Sequence, residues 1–476
     1  MPLVAGIDSS TQSCKVVVRD LDDGRIVRTG RAAHPLGTEV DPEHWWRALL
    51  EAVAAAGGLE DVAAVSIAGQ QHGMVALDAA GETIRPALLW HDTRSAPQAL
   101  ALIEEFGAAE LARRTGSVPV ASFTATKLRW LREHEPEHAA RVAAVALPHD
   151  WLTWRLLGRR APGAAGGAAV DTGLEALRTD RSDASGTSYF DPRRDEYDRE
   201  LLTASLGHDA ILPRVLGPSE AAGETDGAVA GIPSGILVGA GAGDNAGAAL
   251  GLGLRTGDVA VSIGTSGTVF AVTDAPTADA SGAVAGFADA SGHHLPLAAT
   301  LNAARVLDAI SGLLGVDHDE LGRLALASEP GAAGAVLQPY FEGERTPNRP
   351  DATATLFGLT LASTTREHLA RAAIEGMLCG LADGLDAVRA QGVEARQVSL
   401  IGGAAQNRAV AAIAAQVLDL PIAVPVPGEV VAAGASVQAG WALTGSRPVW
   451  PVEIADRPDA AHEPRILEQY RARVAG

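Results

Sequence analysis

Cysteine is nearly missing from this chain of 476 residues, which holds only Cys14 and Cys379. Two thiols cannot build a disulfide framework or a cysteine zinc site, and each is expected to be a small buried hydrophobe in a reducing compartment. Also missing is any apolar run near the roughly 20 residues that cross a bilayer, and the first strand is expected to begin at Leu3 with no charged-then-apolar leader before it. A cytoplasmic protein is the expectation. Positive charge is scarce, with 38 Lys and Arg against 58 Asp and Glu, a formal charge of −20 and no basic stripe. That balance weighs against nucleic acid and against anionic membrane surfaces as partners. No G-x-x-x-x-G-K-[ST] loop is present either, so any nucleotide triphosphate has to be held by Mg²⁺ and backbone N–H groups more than by lysines.

What is there is a soluble globular composition, with 47% hydrophobic and 20% charged residues. The length exceeds the range over which one core keeps growing, so two domains with a cleft between them are expected. Val4 to Ile7 and Lys15 to Arg19 read as strands joined by the polar tip from Asp8 to Ser13. A strand follows at Arg25 to Ala33, then Asp41-Pro42-Glu43 opens a helix to about Ala56, and further strands come near Val62 to Ala68 and Met74 to Leu77. This order is not the strict alternation of a dinucleotide-binding fold. The Ala/Gly tract Ala161 to Ala169 reads as a surface loop.

Ile236 to Ala240 reads as a buried strand breaking at Gly241-Ala242-Gly243-Asp244-Asn245, and the domain boundary is placed just after it. Asp258 to Val272 then repeats the opening design, two apolar strands around the tip Gly264-Thr265-Ser266. Thr364-x-x-Glu367 reads as a capping box, and the stripe Leu369, Ala373, Met377, Leu381, Leu385 and Val388 marks the core face of the helix behind it. A strand at Val398 to Ile401 ends in Gly402-Gly403. A helix from about Gln406 to Leu418, a strand at Ile422 to Val424 and an Ala/Gly-rich helix after Glu429 complete the reading.

Two Gly/Ser/Thr tips, one heading each half, could present N–H and hydroxyl donors to a polyphosphate between them. Phosphoryl transfer also needs a metal at the phosphates and a carboxylate to accept the proton of the attacking hydroxyl. Asp8 and Asp244 qualify by position, each at the end of an apolar strand; the alternatives are an Asx-turn acid and a helix N-cap. Trp151 and Trp154 are expected in the core.

Several segments, in one fixed order, resemble the FGGY family of carbohydrate kinases. They are Gly6-Ile7-Asp8-Ser9-Ser10-Thr11, Ala68-Gly69-Gln70-Gln71-His72-Gly73, the runs 88–94 and 180–187, Ser122 to His134, Gly241 to Asn245, Ser262 to Ser266, Gly343 to Pro347, Ala354 to Glu375 and Ile401 to Asn407. Within the family the xylulokinases are the most similar. The resemblance implies an α/β fold of two actin-like (ribonuclease H-like) ATPase domains with an interdomain catalytic cleft, spanning 1–246 for sugar and 247–476 for ATP. It implies transfer of the terminal phosphoryl group of ATP to a small ketose, D-xylulose, with Asp244 as base and Asp8 with Asp244 holding hydrated Mg²⁺. Thr11, Gly264, Thr265, Gly402, Gly403 and Asn407 would serve ATP, and Gln71, His72, Asp244 and Asn245 the sugar, with His72 binding and not moving a proton. Relatives suggest a homodimer. Gln71 stands where many xylulokinases have methionine, and the segment after Glu429 lacks the aromatic residue and second acid expected there. A sugar-responsive repressor and a chaperone-type ATPase share the superfamily fold; the first needs a basic DNA-binding segment and the second a separate peptide-binding part, and neither is visible.

Overall fold

The computed structural model describes residues 2–158, 172–459 and 461–474. The Ala/Gly tract 161–169 lies outside the described residues. Among those described, no helix is long and apolar enough to cross a membrane.

The first half is built on a seven-stranded sheet. β1 (Leu3–Ser9), β2 (Ser13–Asp20) and β3 (Ile26–Ala33) form an antiparallel meander, because the polar residues 10–12 make a tight tip between two apolar runs. α1 (Pro42–Ala55) starts where the chain offers Asp41 as a cap, its carboxylate accepting from Glu43 N at 3.0 Å, and proline in the first turn. It buries Trp45, Leu49, Ala52 and Val53 against the sheet and returns the chain to β4 (Val62–Gly69), which pairs parallel to β1. The helices α2 (Pro148–Leu156) and α3 (Arg181–Ser185) lie in the long excursion before β5 (Ala221–Val229), β6 (Ile232–Gly239) and the two-residue β7 (Ala242–Gly243). The strand order is β5-β6-β4-β1-β2-β3, with β7 paired to the end of β4. Trp151 and Trp154 are in the core, as expected.

α4 (Asp244–Gly251) leads into the second half, whose sheet contains β8 (Asp258–Ile263), β9 (Gly267–Ala271), β10 (Ala285–Ala288), β11 (His294–Thr300), β12 (Gln397–Ile401), β13 (Ile422–Pro425) and β14 (Ile454–Asp456). Its order is β10-β11-β9-β8-β12-β13-β14. The centre repeats the first sheet: β11-β9-β8 is antiparallel like β3-β2-β1, and β12 and β13 add in parallel as β4 and β6 do. The duplication expected from the two tips is therefore one of topology.

α5 (Arg366–Ala390) carries the predicted stripe, with Ala373, Met377, Leu381, Leu385 and Val388 buried and Leu369, in its first turn, half-buried. Its cap differs by one residue from the expectation. Thr365 accepts from His368 N at 3.3 Å, while the Thr364 hydroxyl donates to Thr360 O at 2.6 Å. Two adjacent threonines offer the same chemistry, and the preceding turn takes the first. α6 (Arg408–Val417) and α7 (Val430–Thr444) follow. Although it lies late in the chain, α7 packs on β1, β4 and α4. Its Ala/Gly composition permits this: a methyl on Gly6 would lie 1.9 Å from Ala432 O, and one on Gly434 would lie 1.8 Å from Gly247 O. Both cysteines are buried and free.

Candidate active site

Register explains how two acids distant in sequence meet. Asp8 of β1 and Ala242 of β7 both pair with Ala68 of β4, from opposite sides, so the three strands end at one level. The chain then turns into α4 with Gly243 at the N-cap, and Asp244 is the first helical residue. It is thus not a capping aspartate; its Oδ1 accepts from Asn245 N at 2.8 Å and Asn245 Nδ2 at 2.9 Å. Asp8 is buried and accepts from the Ser10 hydroxyl at 2.8 Å and from Lys15 Nζ at 3.2 Å. Those bonds are made with side chains, and the Asx-turn reading of Asp8 gives way to an ion pair.

The two acids share a cleft of about 420 Å³ whose walls include Lys15 and Asn245 from the first half and Ser262, Gly402, Gly403, Gln406 and Glu429 from the second. Burial raises the Asp8 carboxyl above its ordinary value against the pull of Lys15. At Asp244, only half-buried itself but deep in the cleft, burial and then the charge of Asp8 push the pKa up to about 7. Lys15 also reaches Glu429 at 2.7 Å. Burial alone would depress its ammonium, but Asp8 and Glu429 raise it, so it stays charged.

Of the residues the sequence reading singled out, Asp8, Asp244, Asn245, Gly402 and Gly403 line this cleft. Gly402 has φ +96°, and a Cβ there would meet Ile263 O at 2.5 Å, so only glycine lets the backbone of β12 turn against β8. Thr11, Gly264 and Thr265 stand at the two hairpin tips beyond those walls; the Thr11 hydroxyl accepts from Trp90 Nε1 at 2.9 Å. Asn407 has its amide engaged at both ends, its oxygen capping α6 through Ala409 N at 2.9 Å and its nitrogen donating to His318 O at 2.8 Å.

Gln71 is buried, and its Nε2 donates to Ser182 O at 3.1 Å. His72 follows with φ +70°, a strained value for a residue with a Cβ. Its Nδ1 lies 2.6 Å from Gly186 O, and its ring sits edge-on to Phe123, with centroids 4.8 Å apart. Burial pulls its pKa down to about 3, so the ring is neutral. Nδ1 then carries the proton that the carbonyl accepts, which leaves Nε2 as an acceptor.

Lys15, Gln406 and Glu429 were missed in the sequence reading, as was a buried group behind the catalytic turn. The chain has only two lysines, Lys15 and Lys127. That scarcity was the available signal, since Lys15 is half-buried at the cleft and Lys127 is fully buried, donating to Ala121 O at 2.6 Å and Ser122 O at 2.7 Å. The group behind the turn is His149, with Nδ1 2.5 Å from Asp183 Oδ2 and 3.3 Å from Asp150 Oδ1. Burial opposes a charge on this ring, but the two carboxylates outweigh it and raise its pKa to about 10. The three side chains are close enough to hold a metal ion. A protonated imidazole at their centre, however, makes them an ion cluster that repels a cation.

Comparison with known proteins places this geometry in a family. Residues 3–251 match the model of the FGGY family of carbohydrate kinases, N-terminal domain, and residues 259–443 match the C-terminal domain of the same family. The chain is 47% identical over 452 residues to the xylulose kinase of Streptomyces coelicolor, covering 93% of this chain and 89% of that one. It is 46% identical over 476 residues to the xylulose kinase of Streptomyces rubiginosus, covering 98% and 92%. Among solved structures, the xylulose kinase from Bifidobacterium adolescentis superposes with a TM-score of 0.91 at 48% identity, covering 100% of this chain and 99% of that chain.

Proposed function

The chain belongs to the FGGY family of carbohydrate kinases, and we propose that it transfers the γ-phosphoryl group of ATP to the 5-hydroxyl of D-xylulose. The observation that carries this reading is the convergence of Asp8 and Asp244 in one cleft with the Gly402–Gly403 turn and Glu429 of the other half. The relatives named above supply the sugar. The division of labour follows the two sheets, with sugar held by residues 1–246 and nucleotide by 247–476.

Asp244 is the base. A carboxylate held near pKa 7 accepts a hydroxyl proton with more driving force than an ordinary one, while about half of it is still ionised at neutral pH. Asn245 fixes Oδ1 with two hydrogen bonds, leaving Oδ2 to face the sugar. Asp8 and Asp244 are the residues that would hold hydrated Mg²⁺; their mutual repulsion in a buried site is what a divalent cation relieves, and when bound the ion neutralises the polyphosphate. Lys15 adds a fixed positive charge at the same wall. Thr11, Gly264 and Thr265 approach the phosphates from the two tips, Gly402 and Gly403 admit the adenosine half, and Asn407 sets the start of α6 beside it. On the sugar side, His72 accepts a hydroxyl proton's hydrogen bond at Nε2, and Gln71 shapes the turn through its backbone. Closure of the cleft excludes water as a competing acceptor.

The pH dependence follows from Asp244. A base whose pKa is raised is protonated, and silent, below that value. In the free enzyme kcat/KM is therefore expected to fall as pH drops through about 7, approaching tenfold per pH unit. A flat profile down to pH 5 would remove Asp244 from this role.

Gln71 gives a second expectation. One N–H of its amide is spent on Ser182 O, which also accepts from the Ser185 hydroxyl at 2.7 Å, and in this reading the amide braces α3 and not the sugar. Gln71→Met should cost about 1 kcal/mol of stability and leave the ranking of ketoses by kcat/KM unchanged. A reordered ranking would show that the amide contacts substrate. The proposed function itself is tested by coupled ADP release with D-xylulose and ATP.

A further inference from the structure

The turn that delivers Asp244 is held from behind by groups that touch no ligand in the account above. His149 Nε2 lies 3.4 Å from Ala240 O, and the ring edge is pressed so closely on the next residue that a Cβ on Gly241 would lie 2.2 Å from Cδ2. On the other side Gly243 N donates to the Ser182 hydroxyl at 3.0 Å. The two sides are one unit, because His149 Nδ1 binds Asp183, the neighbour of Ser182 in α3. His149, Ser182 and Asp183 are wholly buried. Both ring nitrogens face acceptors, so both carry protons, and the ring and Asp183 form a buried ion pair. Such a pair is a poor source of stability compared with apolar packing of the same volume. What it supplies here is direction.

We propose that His149 and Asp183 are positioning residues for phosphoryl transfer: they lock the backbone of residues 240–243 and so aim the Asp244 carboxylate at the sugar hydroxyl. The proposal rests on Asp244 being the base. A shift of about 1 Å in a reacting group is enough to cost on the order of 100-fold in rate.

The test compares His149→Gln, Asp183→Asn, His149→Lys and Ser182→Ala with the native protein in kcat, in KM for D-xylulose and ATP, and in nucleotide binding measured by calorimetry on folded protein. In His149→Gln and Asp183→Asn, kcat per nucleotide-binding molecule is expected to fall about 10- to 100-fold while both KM values move less than about threefold. His149→Lys, which returns a cation to Asp183, should recover at least about tenfold of the loss seen in His149→Gln. Ser182→Ala removes only the acceptor of Gly243 N–H and should lower kcat about three- to tenfold. If kcat per binding-competent Asp183→Asn molecule stays within about threefold of native, so that any loss comes only from fewer molecules folding or from a higher KM, the pair is only structural and the proposal falls. Should the ion-pair variants not fold, Ser182→Ala decides alone, and an unchanged kcat overturns the proposal. Inactivity of the native protein with every ketose would instead be a failure of the proposed function, visible before any variant is made.

Discussion

Replacing Asp244 by alanine is expected to lower kcat by at least about two orders of magnitude, close to 2.7 kcal/mol of transition-state stabilisation, with ligand binding largely kept. The reason is the position of the carboxylate. Asp244 is not the N-cap, which Gly243 holds, and among the described residues its carboxylate takes hydrogen bonds from Asn245 and its own backbone and from no distant residue. Removing it therefore breaks no long-range contact, and the charge it loses is one that burial and Asp8 already disfavour. The folded state should be unharmed or slightly more stable, by the relief of that repulsion. Single-turnover kinetics and thermal unfolding on the same preparation check both halves. A near-native kcat would mean that another group takes the proton.

The second large effect is that of the metal. In excess chelator ADP release with ATP and D-xylulose should fall to the level without enzyme and return on adding Mg²⁺, with the unfolding temperature of the ligand-free protein unchanged. The cleft offers a polyphosphate a single ammonium, that of Lys15, and this is already shared between Asp8 and Glu429 at 3.2 and 2.7 Å. With a chain charge of −20 around it, a triphosphate has no other protein cation at that wall among the described residues to offset it. Full turnover in chelator would show that N–H donors and Lys15 suffice.

How far these groups could be found in the sequence depends on whether the forces that place them are local. Asp8 and the tip after it are legible because an apolar strand, a polar turn and a second apolar strand are adjacent in the chain. The cap of α1 at Asp41 and the stripe of α5 through Met377 and Leu381 are legible for the same reason. Lys15 was not, because one polar residue in a strand reads as a solvent-facing position; only the pairing of β1 with β2, which sets Asp8 opposite Lys15, brings it to the carboxylate. His149 and Asp183 are 34 residues apart and meet only when α2 and α3 fold behind the turn. Asn407 is given to the adenosine half by resemblance, and the structure adds what resemblance does not carry, that its amide caps α6 and holds His318. The docking of α7 on the first sheet was likewise invisible, although its glycines hinted at close approach; the partners of Gly434 and Ser436, Gly247 O and Val17 O, lie far back in the chain.

The proposed activity is phosphorylation of D-xylulose in this cleft. It is tested most directly by kcat/KM measured side by side for D-xylulose, L-xylulose, D-ribulose, L-ribulose and glycerol with saturating ATP and Mg²⁺. Buried polar groups matched to one set of hydroxyls penalise a sugar that leaves them unpaired, so the spread among these ketoses should be large. D-xylulose is expected to rank first. A higher value for any other sugar, or turnover of none, would contradict the account.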